Sequence, residues 1–162
     1  MARLNNNGAS LFYEVTGSGP PVLLLHSLGG SVEMWRGLSA TISSRYTVIA
    51  LDARGHGKSE LAKPFTVEQQ AADAAALLDY LGVSSVRVLG LSMGGQAALH
   101  LTKSRPQLVA ALGLANTSLG RGTDGAERRA SVCSEIEHLG WNGYARAYIV
   151  SRTVYPDRSS AV

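Results

Sequence analysis

Ser92 is the residue whose neighbours in the sequence are most typical of covalent catalysis. It stands within Gly-Leu-Ser-Met-Gly-Gly, residues 90–95, directly after the apolar run of residues 86–89. A chain that turns from strand to helix within one residue is strained there, and the turn requires small residues two positions before and after, here Gly90 and Gly94. It would also project the hydroxyl above a sheet at a helix N-terminus, where developing negative charge is stabilised. We therefore predict that Ser92 is a nucleophile; the alternative is a structural serine in a glycine-rich turn.

Acyl transfer at a serine also needs two amide donors that bind the oxyanion. One normally follows the nucleophile, and the other comes from the loop after an earlier strand. Met93 offers the first amide, and Leu28, in the His-Ser-Leu-Gly-Gly loop of residues 26–30, offers the second. Gly29 and Gly30 would shape that loop, the alternative being that they only make a tight turn.

Other residues are weaker candidates. His26 and Trp35 are candidate pocket residues. The alternative for Trp35 is a position in the core, and the alternative for His26 is a loop position in which the backbone matters and the side chain does not. In the glycine-rich segment of residues 52–57, we expect Arg54 and His56 to be structural. No residue is predicted to bind a metal, and no cofactor is expected.

Alternating strands and helices would position these segments. Short apolar runs predict strands at residues 11–15, 22–25, 46–51, 86–89 and 109–114. Apolar residues at steps of three and four predict a helix over residues 67–81, with Thr66 and Gln69 as a capping box and Gly82 at its end. A second helix follows Ser92 and ends before Pro106. Strands joined by such helices indicate an α/β fold with a mostly parallel sheet and ligands beyond its carboxyl edge.

Composition excludes several other classes of protein. The 162 residues carry a net charge of +3 without a concentrated basic face, so nucleic-acid binding is not expected. No apolar run approaches the roughly 20 residues that span a bilayer, so no membrane contact is expected. A single cysteine, Cys133, and a polar N-terminus favour a reducing, cytoplasmic location.

The order of these motifs over about residues 10–118 resembles the α/β-hydrolase superfamily. Within it, residues 51–59, 90–99 and 114–118 are similar to 3-oxoadipate enol-lactonase and its relatives. The resemblance implies a serine mechanism without a cofactor, in which a small-molecule ester or lactone forms an acyl-enzyme on Ser92. A general carboxylesterase, or a non-catalytic binding protein on the same fold, is the alternative.

The resemblance also implies a division of the chain. Residues 1–118 would be the N-terminal part of the hydrolase core, and residues 119–162 the start of a helical cap, within which the chain ends. The acid and histidine of the family's triad follow the cap and are not expected among these residues. His100 is about 12 Å along its helix from Ser92, and His138 would belong to the cap. We expect the apolar strand of residues 109–114 to be an exposed edge that favours self-association.

Overall fold

The computed structural model describes residues 2–63, 65–118, 134–135, 137–140 and 143. The chain divides into two compact units, residues 1–119 and 120–162. The elements of the first unit follow one another in this order: β1 (Ala2–Asn6), β2 (Ala9–Thr16), β3 (Pro21–Leu25), a 3₁₀ helix (Val32–Trp35), α1 (Arg36–Ile42), β4 (Thr47–Leu51), α2 (Val67–Tyr80), β5 (Val86–Leu91), α3 (Met93–Ser104), a second 3₁₀ helix (Pro106–Leu108) and β6 (Val109–Ala115). The five predicted strands and both predicted helices are present.

One six-stranded sheet runs through this unit in the order β1-β2-β4-β3-β5-β6. The pairs β1–β2 and β2–β4 are antiparallel, whereas β4–β3, β3–β5 and β5–β6 are parallel. The predicted α/β fold with a mostly parallel sheet is confirmed. Because β3, β4 and β5 are parallel, the three glycine-rich segments that follow them lie at the same edge of the sheet.

Both faces of the sheet are covered, which explains the continuously apolar strands. Successive residues of a strand point to opposite faces. In β3, Leu23 and Leu25 therefore join the core cluster that contains α2 and α3, while Leu24 joins the cluster that contains the first 3₁₀ helix. All three leucines are buried.

Four elements of the first unit were not predicted, namely the two short 3₁₀ helices, strand β1 and helix α1. Strand β1 is polar and mostly exposed, so it lacks the apolar run by which the other strands were identified. Its pairing with β2 nevertheless has a local signal, because Asn7 and Gly8 both have positive φ, at 44° and 73°. An Asn-Gly pair between two strands is typical of a two-residue hairpin turn. Helix α1 has only seven residues, none of them fully buried, and its apolar periodicity is correspondingly short.

The predicted caps of α2 are partly correct. The hydroxyl of Thr66 accepts a hydrogen bond from the Gln69 amide at 3.1 Å. The Gln69 side chain does not return that bond and instead donates to the Asp73 carboxylate at 3.0 Å. The capping box is therefore wrong in its second half, because a buried acceptor lies one helical turn further along. Gly82 follows the end of the helix with φ at 68°, as a C-terminal glycine does.

The second unit is described only in short stretches. The apolar pattern of the sequence predicts helices over residues 126–139 and 141–153. Residues 134–135, 137–140 and 143 are helical, all of them within these ranges except residue 140, which lies between the two. The remainder of those helices lies outside the described residues, and the assignment of residues 119–162 to a cap stays a prediction. No helix in the described part of the chain is long and apolar enough to cross a membrane.

Candidate active site

Ser92 is the single residue between β5, which ends at Leu91, and α3, which begins at Met93. Its backbone has φ 53° and ψ −110°, a conformation that L-residues avoid and that costs about 1–3 kcal/mol. Two hydrogen bonds hold it there: the Ser92 amide donates to Ala115 at 3.0 Å, and the Gln96 amide donates to the Ser92 carbonyl at 3.1 Å. The strained turn is thus fixed by both β6 and α3.

The glycines around Ser92 are required by space. A Cβ on Gly90 would lie 2.4 Å from the carbonyl oxygen of Gly94, and a Cβ on Gly94 would lie 2.1 Å from that of Leu25. A Cβ on Gly95 would lie 1.9 Å from the hydroxyl of Thr117. The two backbone collisions cannot be relieved by moving a side chain. The turn therefore depends on glycine at positions 90 and 94.

The two expected oxyanion donors are backbone amides without an internal acceptor. Met93 is in the first turn of α3, where an amide has no acceptor within the helix. Leu28 lies in the loop after β3, and within the described part of the chain its amide donates no hydrogen bond to the protein. Leu28 is 71% exposed, so its backbone amide lies at the surface of the loop.

A tight turn carries Leu28. The Gly30 amide donates to the Ser27 carbonyl at 2.9 Å, and Gly29 adopts a positive φ of 73°. A Cβ on Gly29 would meet no atom within 4 Å, so its requirement is conformational. These glycines do make a tight turn, and that turn places the Leu28 amide at the end of β3.

His26 lies under this loop rather than in an open pocket. It is 2% exposed, and both of its ring nitrogens contact backbone groups, Nδ1 the Ser27 carbonyl at 2.8 Å and Nε2 the Ala53 amide at 3.0 Å. The pKa of His26 is lowered below its ordinary value of 6.5, and burial of the ring is the largest cause. A neutral ring accepts from Ala53 and donates to Ser27, so both contacts are consistent with the uncharged form.

Trp35 is part of the core. It is 8% exposed and packs in the cluster with Phe12, Leu24 and Val48 on the α1 face of the sheet. Its indole Nε1 is buried and has no hydrogen-bond partner among the described residues. The alternative reading of this aromatic residue, a core position, agrees with where it lies.

No described histidine contacts Ser92. The hydroxyl of Ser92 has no hydrogen-bond partner in the described ranges. His56 contacts the Arg54 carbonyl through Nδ1 at 3.0 Å, and His100 on α3 faces Glu68 on α2, with Nε2 and Oε1 3.6 Å apart. His138 is exposed on a helical stretch of the second unit. None of these histidines therefore makes a described contact through which it could act as a general base for Ser92.

Asp52 supports the site and was not predicted from the sequence. Its carboxylate is buried and accepts from the Val32 amide at 2.6 Å and the Lys58 amide at 2.8 Å. It thereby joins the start of the first 3₁₀ helix to the loop after β4. A Cβ on Gly57 would lie 2.1 Å from this carboxylate, which explains one glycine of the segment. An acidic residue directly after a buried strand was the available signal.

Arg54 is fully buried in an ion pair with Asp73 on α2. Its Nε and Nη2 donate to the two carboxylate oxygens at 2.6 and 2.8 Å, and its Nη1 and Nη2 also donate to the carbonyls of Asn7 and Asn6. The side-chain hydrogen bonds with Asp73 raise the pKa of Arg54 further above its ordinary value. Arg54 therefore ties the β1–β2 hairpin to α2, a structural position as expected.

A small cavity lies behind the Ser92 turn, lined by residues that include His26, Ala53, Gln70 and Gly94. Its volume is about 10 Å³, room for no more than one water molecule. It is therefore not a substrate pocket. Among the residues that the structure describes, no three His, Cys, Asp or Glu side chains are grouped so that they could hold a metal ion.

Comparison with known proteins places the chain in one family. Residues 20–131 match the family described as alpha/beta hydrolase fold. The 3-oxoadipate enol-lactonase 1 of Acinetobacter baylyi is 33% identical over 99 residues, which are 60% of this chain and 37% of that protein. The chain spans less than half the length of the curated relatives it matches, 29% of one and 44% of another.

Two solved structures have the same fold over most of this chain. The enol-lactonase from Burkholderia xenovorans LB400 is 31% identical with a TM-score of 0.75, over 85% of this chain and 55% of that one. A thermophilic esterase from Thermogutta terrifontis, solved with malate bound, is 30% identical with a TM-score of 0.77, over 84% and 53%.

Proposed function

The chain belongs to the α/β-hydrolase fold family, and from this premise we propose that it is a serine hydrolase acting on a small-molecule ester or lactone through Ser92. The observation that carries the proposal is the backbone of Ser92, held at φ 53° and ψ −110° between β5 and α3. A strained residue persists only where its surroundings impose it, and such residues cluster at functional sites. A purely structural serine would have no need of that conformation.

The mechanism that this geometry supports has two steps. The Ser92 hydroxyl attacks the carbonyl carbon, and the oxyanion that forms accepts hydrogen bonds from the amides of Leu28 and Met93. Collapse releases the alcohol, or opens the lactone ring, and leaves an acyl group on Ser92. Water then attacks the acyl-enzyme, and the acid product leaves. Each step needs a general base. None of the described contacts of Ser92 supplies one, so we assign the base and the acid of the family's triad to other residues.

An enol-lactone is the substrate we propose within this class. The sequence resemblance to enol-lactonases and the two similar proteins of that name support it. A general carboxylesterase is the second candidate, and the similar thermophilic esterase favours that alternative. The ratio of kcat/KM for an enol-lactone to that for a simple aryl ester separates them. We expect the lactone to have the higher value, and equal or reversed values would favour the esterase.

Labelling by a fluorophosphonate tests the nucleophile itself. In the protein completed by the family's acid and histidine, we expect the probe to modify Ser92, Ser92→Ala to abolish labelling, and Ser104→Ala, at the far end of α3, to leave it unchanged. Undiminished labelling of Ser92→Ala would contradict the assignment. The alternative of a non-catalytic binding protein is favoured by the hydroxyl's lack of a hydrogen-bond partner among the described residues. It would be supported if the completed protein folds and takes up no probe at all.

A further inference from the structure

The imidazole of His26 connects two backbone segments at the edge of the sheet. Its Nε2 lies 3.0 Å from the amide nitrogen of Ala53, which can only donate, so Nε2 must accept and carries no proton. The proton of the neutral ring is therefore on Nδ1, which donates to the Ser27 carbonyl at 2.8 Å. The ring is buried between the end of β3 and the end of β4, where its position is fixed.

The Ser27 carbonyl and the Leu28 amide belong to the same peptide unit. A trans peptide is planar, and its C=O and N–H bonds point in opposite directions. Whatever holds the Ser27 carbonyl consequently sets the direction of the Leu28 N–H. Two donors hold that carbonyl, the His26 ring at 2.8 Å and the Gly30 amide at 2.9 Å. The Leu28 amide is left pointing away from both, without an acceptor in the described part of the chain.

Gly30 permits the second of these contacts. A Cβ at this position would lie 3.0 Å from the Ser27 carbonyl oxygen and 3.4 Å from His26 Nδ1. Both distances are tight, so the close approach of the ring and the turn to one oxygen favours glycine here. The loop glycine and the buried ring thus act on the same peptide unit.

From this arrangement we propose that His26 is a positioning residue, whose ring orients the Ser27–Leu28 peptide so that the Leu28 amide can bind the oxyanion. The inference rests on the proposed function, because it requires the oxyanion to form at Ser92. It assigns to His26 a role beyond lining a pocket, and one in which the side chain never touches the substrate. The contact with Ala53 holds the ring against the loop after β4, and the contact with Ser27 orients the peptide that follows Ser27.

Two substitutions separate positioning from stability, because each keeps one of the two hydrogen bonds. In His26→Asn, the Nδ2 atom stands at the position of His Nδ1 and can still donate to Ser27, but the Ala53 contact is lost. In His26→Gln, the longer side chain can accept from Ala53 through Oε1, but the Ser27 contact is lost. His26→Leu keeps an apolar side chain of similar size and loses both contacts. Each of the first two variants lacks one buried hydrogen bond, so a merely structural role predicts similar effects for both.

The expected result is an asymmetry between the two variants. In the completed protein, fluorophosphonate should label His26→Asn within about threefold of the wild-type rate, and His26→Gln and His26→Leu at least tenfold more slowly, since loss of one oxyanion donor lowers rates by about 10²–10³-fold. Thermal unfolding should give His26→Asn and His26→Gln similar midpoints. Equal labelling rates for these two variants, with wild type labelled at Ser92, would overturn the inference and leave the proposed function intact.

A crystal structure of each variant decides the point even if the wild-type chain takes up no probe. Absence of labelling in the completed protein would count against the proposed function, whereas the orientation of the Ser27–Leu28 peptide would still be measurable. We expect the peptide to keep its orientation in His26→Asn and to rotate in His26→Gln. An unchanged peptide in His26→Gln would refute the positioning role.

Discussion

The backbone amide of Ser92 donates a 3.0 Å hydrogen bond to the carbonyl oxygen of Ala115, the last residue of β6. This bond joins the strained turn to the end of the neighbouring parallel strand. Two elements therefore hold Ser92 in its strained conformation, because the amide of Gln96 in α3 also donates a hydrogen bond to the Ser92 carbonyl.

Replacing Ser92 by glycine should stabilise the chain. Glycine has no Cβ and tolerates positive φ, whereas alanine retains the strain of the φ 53° conformation. We expect Ser92→Gly to exceed Ser92→Ala in free energy of unfolding by about 1–3 kcal/mol. Urea unfolding of the two variants, both of which lack the hydroxyl, measures the difference directly. Equal stabilities would mean that the turn relaxes once the serine is removed.

Gly94→Ala should disrupt the core of the site. The added Cβ would lie 2.1 Å from the Leu25 carbonyl oxygen, so α3 and β3 would have to separate. We expect a loss of at least about 2 kcal/mol, within the range of overpacked interiors. Gly37→Ala in α1 is the matched control, because its Cβ meets nothing within 4 Å and alanine favours helix. Thermal melts should show a lower midpoint for the first variant and an unchanged or higher one for the second.

Acidification should destabilise the chain through His26. Burial lowers its pKa below the unfolded value of 6.5, aided by the facing ring of His56 and opposed by the Ser27 carbonyl and Asp52. The folded chain therefore binds this proton less readily than the unfolded chain. The contribution of the neutral ring is full above pH 6.5 and is lost as the pH falls below it.

The measurement is urea unfolding at pH 7.5 and at pH 5.5, a window above the ordinary pKa values of carboxylates. We expect the wild-type chain to lose more stability between these two pH values than His26→Asn, whose side chain does not titrate. The same loss in both chains would assign the effect to another histidine.

The buried ion pair of Arg54 and Asp73 should be sensitive to removal of either partner. Arg54→Met leaves a buried carboxylate whose remaining side-chain donors are Asn6 and Gln69, and loss of one partner in such a pair costs about 3–5 kcal/mol. The exposed pair of Asp79 and Arg105 is the control, and Asp79→Asn should cost much less. Comparable losses for the two variants would show that burial does not decide the strength of the pair.

Strand β6 should mediate self-association. It is the last strand of the described sheet, and its Leu114 side chain is 44% exposed. An exposed apolar edge strand favours pairing with a second copy, which a lysine opposes. Sedimentation velocity should show the wild-type chain associating and Leu114→Lys shifted toward monomer. Leu61→Lys, at a residue 79% exposed outside the strands, should behave as wild type; a monomeric wild type would contradict the prediction.

Features that depend on neighbouring residues could be predicted from the sequence alone. The turn at Ser92 could be predicted because the apolar strand, the serine and the glycines at positions 90 and 94 are neighbours in the sequence, even though the atom that excludes a side chain at Gly94 belongs to Leu25 of β3. The parallel strands could be predicted because burial on both faces requires every residue of a run such as β3 to be apolar. The family resemblance depended on these same local segments and their order.

The use of each side chain depends on contacts between residues that are distant in the sequence and meet only in the folded chain. His26 and its partner Ala53 are 27 residues apart, and Arg54 and Asp73 are 19 apart, so neither pair leaves a periodic pattern in the sequence. Strand β1 was missed because an exposed, antiparallel edge strand needs no apolar face. The local sequence around a histidine in a glycine-rich loop is the same whether the ring lines a pocket or orients a peptide. The difference lies in which backbone groups the fold brings within 3 Å of its two nitrogens.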